Sequence, residues 1–324
     1  MTIWLIRRLS QALVVVLMMT LIVFIGLHAI GNPIDTLIGP DVDQVQRARI
    51  IQQLGLDQPL WKQYFAFLNG ALHGNLGNSF VYNIPAVTLI IQRLPATLEL
   101  AIAAMLFAVI LGVPLGLWAG LKPNHISSRL IMTGSILGFS LPTFWVGLML
   151  IMAFSVGLGW LPASGRGETV TVFGLEWSWL TLDGWRHLLL PALNLSLFKI
   201  SLVIRLTRAG VREVLPQDFI KFARAKGLSP MRVIGVHVLR NILIPLVTVL
   251  GLELGSTIAF AVVTESIFSW PGAGKLILDS INTLDRPVIV AYLIVVVCMF
   301  VLLNLLVDIA YRVLDPRVRL QGDQ

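Results

Sequence analysis

Few residues in this chain are placed to do chemistry. WPGAGKL at 270–276 imitates the end of a phosphate-binding loop, GxxxxGK[ST], in which backbone N–H groups and a lysine cradle phosphate. Ser269 stands where the first glycine belongs, and Leu276 where the metal-binding Ser or Thr belongs. No HExxH or GxSxG occurs, and the five histidines are scattered with no pair at metal-ligand spacing. Cys298 is the only cysteine and sits in an apolar run, which excludes a disulfide framework and a thiolate metal site. A chain so equipped reads as one that performs no reaction itself and draws energy from a partner or an ion gradient.

Two ionisable side chains stand out against this background. Lys199 in LFKISLVIRL and Glu253 in GLELGST lie midway along apolar runs. An ionisable group at membrane depth marks a candidate path, so the two either face each other across a pore or line a polar route for a zwitterion. The plainer readings are a Lys199 that snorkels toward water and a Glu253 that meets a partner on a neighbouring helix. Glu99 and Glu265 sit near span ends and read as interfacial. Asp308 and Arg312 read as an i, i+4 ion pair on a helix surface.

The elements that must position these groups are membrane-like. Hydrophobic residues make up 56% of the 324 residues and charged ones 13%, with a mean hydropathy of +0.85. Soluble domains carry about 25% charge. The expected fold is an all-α polytopic membrane protein with six transmembrane helices and cytoplasmic N- and C-termini. Its spans fall at residues 9–30, 96–121, 130–158, 187–206, 242–268 and 288–313. The first apolar run is longer than a signal-peptide core and reads as an uncleaved span. Pro114 in GVPLG and Pro142 in FSLPTFW read as kinks, and Pro142 as a pathway candidate. Between the first two spans lie an amphipathic segment at 42–54 and an aromatic stretch with Trp61, Tyr64, Phe65 and Phe67, which suits an interfacial helix. A Trp-rich excursion occupies 159–185. Of the 24 Lys and Arg, 15 fall on the proposed cytoplasmic side. The net charge of +7 is therefore a topology signal, with no soluble basic face for nucleic acid.

The longest polar interruption late in the chain is DFIKFARAKGLSPMRVIGVHVLRNILIP at 218–245. It carries Lys221, Arg224, Lys226, Arg232 and Arg240, with Asp218 its only acid. Residues 218–226 contain neither Gly nor Pro. Gly227 ends that run, and Pro230 after Ser229 suits a first helical turn. The expectation is a short helix, a glycine break, and a second helix leading into the fifth span. A short helix tethered between spans can dock into a groove on another protein; the plainer reading is a solvated basic loop that only sets topology.

This stretch resembles the EAA-type loop of ABC importer permeases, specifically of their dipeptide, oligopeptide and nickel branch. Phe222-Ala223-Arg224-Ala225-Lys226-Gly227-Leu228 and His237-x-Leu239-Arg240-Asn241-x-x-x-Pro245 stand where that branch has its ARAKGL and HxLRNxxxP blocks. The general Glu-Ala-Ala start is Phe-Ala-Arg here, and the Gly227-to-Pro245 spacing exceeds that of sugar permeases; both are habits of the branch. The likeness extends along nearly the whole chain: LGLDQPLWKQY at 54–64, GNLGNS at 74–79, RLPATLEL at 93–100, FSLPTFW at 139–145, LGWLPASGR at 158–166, TESIFSWPGAGKL at 264–276 and LDPRVR at 314–319.

The resemblance implies a type I ABC importer permease fold in a bacterial inner membrane. Residues 1–94 would form an N-terminal helix and periplasmic region. Residues 95–313 would form the permease core, with a cytoplasmic coupling loop at 207–241, and 314–324 a cytoplasmic tail. Asp218, Phe219, Phe222, Ala223, Arg224, Ala225, Lys226 and Gly227 would receive the ATPase stroke. The implied partners are a second homologous permease, two cytoplasmic ATPase subunits, a periplasmic substrate-binding protein and membrane lipid. This chain would need no cofactor, since ATP and Mg would be bound, and ATP hydrolysed, by the partner subunits. Short peptides are the expected cargo, with a nickel chelate or glutathione as alternatives. An ion-coupled secondary transporter would need inverted repeats or several intramembrane acids, and Glu253 is nearly the only one deep in a span. A purely structural membrane protein would leave the proline-containing spans and the coupling-type loop without purpose.

Overall fold

The computed structural model describes residues 2–29, 52 and 57–314. The amphipathic segment read at 42–54 falls outside them but for residue 52, as do the tail beyond Leu314 and the side chains of His28 and Arg312. In chain order the elements are α1 (Thr2–Ala29), α2 (Leu60–Leu72), α3 (Ala86–Leu121), α4 (Ile126–Ser140) and α5 (Thr143–Leu150), which runs on into a π-helical turn at Ile151–Gly157. A hairpin of β1 (Val170–Val172) and β2 (Leu175–Trp177) precedes α6 (Leu182–Val214). Then come α7 (Asp218–Ala225), α8 (Pro230–Arg232), a π-helical stretch at Val233–Val238, α9 (Leu239–Ile267), α10 (Ala273–Asn282) and α11 (Arg286–Leu314).

Among the described residues, five helices are long and apolar enough to cross a membrane, namely α1, α3, α6, α9 and α11. α4 and α5 taken together are long and apolar enough for a sixth span, and they are bent by 108°. Here the sequence expectation of one kinked helix over 130–158 is corrected to a broken one. Proline disfavours helical backbone in the residue before it. Leu141 accordingly takes φ −78 and ψ 136, which stops α4, and Pro142 caps the start of α5. By contrast α3 stays helical through both Pro95 and Pro114.

Contacts divide the chain into two compact units, Met1–Gln92 with Leu276–Leu302, and Arg93–Lys275 with Leu303–Gln324. In the first unit α2 lies on α1 through aromatic packing. The Phe24 and Tyr64 rings meet edge-on at 5.4 Å, and Tyr64 hydroxyl shares a 3.0 Å hydrogen bond with Thr20. Of the four aromatics read as interfacial, Tyr64 and Phe67 pack on Phe24, while Trp61 and Phe65 stay exposed. A second cluster joins Ala86, Leu89 and Ile90 to Leu276, Val288 and Ala291. The GNLGNS segment is tied there by Asp285, whose carboxylate accepts from Ser79 Oγ at 2.5 Å and from Phe80 N–H at 3.2 Å.

The second unit is built on close helix approach. Lipid offers no hydrophobic gradient between helices, so small residues that let backbones come close carry much of the packing. Gly112, Gly116 and Gly120 of α3 form such a seam, facing Val203, Thr207 and Val211 of α6. A Cβ at any of the three would sit 2.6–2.7 Å from those side chains. The proline in GVPLG draws attention in the sequence, but the glycines on either side of it set the contact. Further along α3, Ala96, Leu100, Ala103 and Ala104 pack against Leu188, Ala192 and Leu195 of α6, Ala261 of α9 and Trp270.

Candidate coupling and transport site

The short helix expected after residue 217 is α7, and its faces differ sharply. Ile220 and Ala223 are buried against Val211, Val233, Val238 and Ile242, with Leu117 and Leu121 of α3 beside them. Beside that buried stripe Phe219 and Phe222 are 44% and 61% exposed. Lys226 Nζ lies 4.6 Å from the Phe222 ring centroid, a cation–π contact. Asp218 and Lys221 pair at 2.8 Å in solvent, a contact of the kind that contributes little to stability.

The stop after α7 is a backbone device. Gly227 N–H bonds Arg224 carbonyl at 2.9 Å and Leu228 N–H bonds Ala223 carbonyl at 3.3 Å. That is the Schellman pattern, which needs a left-handed residue at the turn. Gly227 supplies it with φ +75. The chain restarts at Pro230 with Ser229 as N-cap. It then runs through the π-helical stretch into α9, where Asn241 Nδ2 donates to His237 carbonyl at 2.6 Å. The helix–break–helix reading of 218–245 holds.

Of the three pathway candidates, Lys199 and Glu253 come together. Lys199 on α6 is 6% exposed and does not snorkel; its ammonium donates to Glu253 on α9 and to Ser256 Oγ at 2.8 Å. Ser256 Oγ also donates to Glu253 Oε2 at 2.8 Å. The pair is therefore an inter-helix bond within one chain, as buried charges in a membrane require. Beside it Phe198 stacks on Phe139 of α4 at 4.6 Å. Pro142 belongs to another element and serves to open α5 at the break.

Two carboxylates read as interfacial are instead the most deeply buried acids of the second unit. Glu99 is 0% exposed and Arg166, its partner, 8%. Arg166 Nη2 donates to Glu99 Oε2 at 2.7 Å and Nε to the same oxygen at 3.0 Å. Ser178 N–H reaches Glu99 Oε1 at 2.6 Å and its hydroxyl reaches Oε2 at 2.9 Å. Arg166 also donates to Glu176 carbonyl at 2.7 Å. The Trp-rich excursion, which folds as the β1–β2 hairpin with Trp177 and Trp179 stacked at 5.3 Å, is thereby pinned to α3.

Glu265 is the second lock, and it explains the phosphate-loop mimic. Its carboxylate accepts from Thr97 Oγ1 at 2.6 Å and from Lys275 N–H, in the first turn of α10, at 2.7 Å. Ala273 N–H closes the ring on Thr97 Oγ1 at 2.8 Å. A Cβ at Gly274 would stand 2.8 Å from Glu265 Oε2, and one at Gly272 would collide with the same carboxylate. The glycines of WPGAGK do bare a helix N-terminus to an anion, and that anion is the chain's own Glu265. Trp270 completes the knot by donating its indole N–H to Ala96 carbonyl at 2.8 Å.

Several helices of membrane-spanning length with a tethered, half-docked helix between two of them make the architecture expected of a transport permease. Known proteins place it there. The chain belongs to the family of binding-protein-dependent transport system inner membrane components, whose profile matches residues 112–320, with the corresponding N-terminal profile on residues 1–101. It is thus a multi-pass inner-membrane protein of the ABC importer permease fold. Family membership implies ATPase and substrate-binding partners, and the relatives are transport permeases rather than enzymes.

Among those relatives, the di/tripeptide transport system permease protein DppB of Pseudomonas aeruginosa is 42% identical over 329 residues, covering 97% of this chain and 98% of that one. The dipeptide transport system permease protein DppB of Escherichia coli is 37% identical, covering 98% of each. The glutathione transport system permease protein GsiC of Escherichia coli is also 37% identical, covering 98% of each. Among solved structures, a chain of the MetNI methionine ABC transporter in inward-facing conformations superposes with a TM-score of 0.56 at 17% identity, over 71% of this chain and 98% of that one; it speaks to the fold.

Proposed function

We propose that this chain forms half of the translocation pathway of an ATP-driven importer of short peptides, beside a second homologous permease. Two cytoplasmic ATPase subunits dock on the coupling helices of the two permeases, one of them on α7 of this chain, and a periplasmic binding protein delivers the cargo. ATP and Mg belong to the ATPases, which carry out the hydrolysis. The observation that carries this reading is α7 itself. Its inner face is anchored on α3, α6 and α9 through Ile220 and Ala223, while its outer face offers Phe219 and Phe222. Amphipathic helices dock into partner grooves through such anchors. Motion imposed on α7 would pass directly to three spans through packed side chains. Lys199 and Glu253 are the pathway groups with the charge to meet a zwitterionic peptide.

Gly227→Val tests the coupling. A Cβ there meets nothing within 4 Å, so the substitution acts on the backbone alone. Holding a β-branched residue in the left-handed region costs about 1–2 kcal/mol, enough to reshape the end of α7. Uptake of a labelled dipeptide should fall about tenfold or more while the protein still inserts and its complex still hydrolyses ATP. Gly227→Asn, which tolerates that region, should stay near wild type. Normal uptake by Gly227→Val would overturn the assignment. The glutathione permease among the relatives supports a second cargo reading. Competition of dipeptide uptake by glutathione against unlabelled dipeptide separates the two.

A further inference from the structure

The charged pairs already discussed are matched, whereas three arginines at the far end of α6 form no ion pair among the described residues. A cavity of about 610 Å³ opens between α4 and α6, lined by Met132, Arg205, Arg208, Ala209, Arg212 and Glu213. Arg208 Nε is buried there with no hydrogen-bond partner among the described residues. A buried guanidinium donor left unmatched is costly, and it points to a missing acceptor. Arg205 is held in place by the Phe139 ring, 4.8 Å from its guanidinium carbon, and no carboxylate of the described residues forms an ion pair with Arg205, Arg208 or Arg212.

The depth of the cavity can be read from its neighbours. The Gly116–Thr207 and Gly120–Val211 contacts set Trp118 of α3 level with residues 208–211 of α6. Trp118 is partly exposed, bonds Ser127 Oγ through its indole at 2.8 Å, and carries Lys122 over its ring at 4.2 Å. Amphipathic indoles of this kind mark the headgroup level of a bilayer. The apolar run of α6 also ends at Leu206, so Arg208 and Arg212 stand where hydrocarbon gives way to phosphate. α4, which contributes Met132 to the cavity, also exposes Leu130, Ile136 and Leu137, apolar surface fit for acyl chains.

We propose that this cavity binds a phosphate group, from an anionic phospholipid headgroup or from free phosphate. Several guanidinium forks converging on one space suit a phosphate, whose oxygens can accept from all of them; a carboxylate is satisfied by one fork. Basic pockets between transmembrane helices bind anionic headgroups. The site goes beyond the transport reading and does not depend on the cargo or on which leaflet it faces.

The test uses the full-length protein with its co-purifying subunits, delipidated in detergent and examined by native mass spectrometry. Phosphatidylglycerol, phosphatidylcholine and inorganic phosphate are added back separately. Wild type should retain phosphatidylglycerol over phosphatidylcholine, with retention reduced about fivefold for each arginine replaced in Arg205→Gln and Arg208→Gln, and largely kept in Arg208→Lys. Retention of inorganic phosphate alone, lost in the same variants, would assign the source as free phosphate. Where Arg208→Gln does not yield folded protein, Arg212→Gln, on the exposed rim, carries the comparison. Equal retention of phosphatidylglycerol and inorganic phosphate by wild type and variants would overturn the proposal. So would displacement of the bound anion by a dipeptide but not by phosphate, since the site would then be a carboxylate subsite of the transport path.

Discussion

The two ends of α3 in the second unit are held by opposite kinds of chemistry. Near Thr97 and Glu99 the surrounding segments are fixed by buried carboxylates, each accepting several directed hydrogen bonds. Near Leu117 and Leu121, about 30 Å along the helix at 1.5 Å per residue, α7 is held, among the described residues, by apolar side chains. Directed charge-assisted bonds fix one geometry. Apolar contact is non-directional, so an element held that way can shift while staying attached. The difference teaches where this permease keeps its shape and where it can take a stroke.

The largest effect should come from breaking the polar end. Glu99→Ala strips Arg166 of its counter-charge and leaves Ser178 N–H without its acceptor. Breaking a buried ion pair by removing one partner costs about 3–5 kcal/mol. The expected outcome is loss of most folded protein, seen as an early-melting or aggregated peak in fluorescence-detected size exclusion. Replacing both partners, Glu99→Leu with Arg166→Met, should recover much of it, because no charge is then stranded. A Glu99→Ala protein that melts like wild type would remove the contrast between the ends.

The apolar end was legible in the sequence and the polar end was not, for a physical reason. α7 is written locally: a run without Gly or Pro, then Gly227 in the left-handed region, then Ser229–Pro230. Each signal acts within a few residues of itself. Glu99 and Arg166 are 67 positions apart and Thr97 and Glu265 168 apart, so nothing near any one of them announces its partner. A carboxylate close to a span end looks interfacial until the returning loop is seen to cover it. The glycines of WPGAGK were legible as an anion cradle, while the anion's identity was set by tertiary structure. Pro142 was legible as a disturbance; the 108° angle depends on what α4 and α5 each pack against.

Between the ends lies Lys199–Glu253, and a smaller effect there would sharpen the comparison. Glu253→Leu leaves Lys199 with Ser256 as its remaining bond. Losing a hydrogen bond to a charged group costs about 1.5–3 kcal/mol, less than at Glu99 because Glu253 is partly open. The double change Lys199→Met with Glu253→Leu should restore thermal stability. If it also restores dipeptide uptake, the pair belongs with the structural locks. Stability regained without uptake would assign the pair to the path.

The smallest change in stability should accompany Phe222→Ala, and it is the sharpest test of what the apolar end is for. Phe222 is turned away from the buried Ile220 and Ala223, and the Lys226 ammonium lies 4.6 Å from its ring centroid. Removing a ring that is 61% exposed should change stability within the range of ordinary surface substitutions, about 0.5 kcal/mol. A solvated loop that only sets topology would show no further consequence. A docking anchor would, because truncating a buried aromatic at an interface typically costs about 2 kcal/mol or more of binding. The expected outcome is a permease that inserts and melts normally, retains its ATPase subunits poorly on purification, and imports dipeptide slowly. Unchanged ATPase retention and uptake would return the outer face of α7 to a solvated surface, leaving Ile220 and Ala223 as anchors of a helix with no partner.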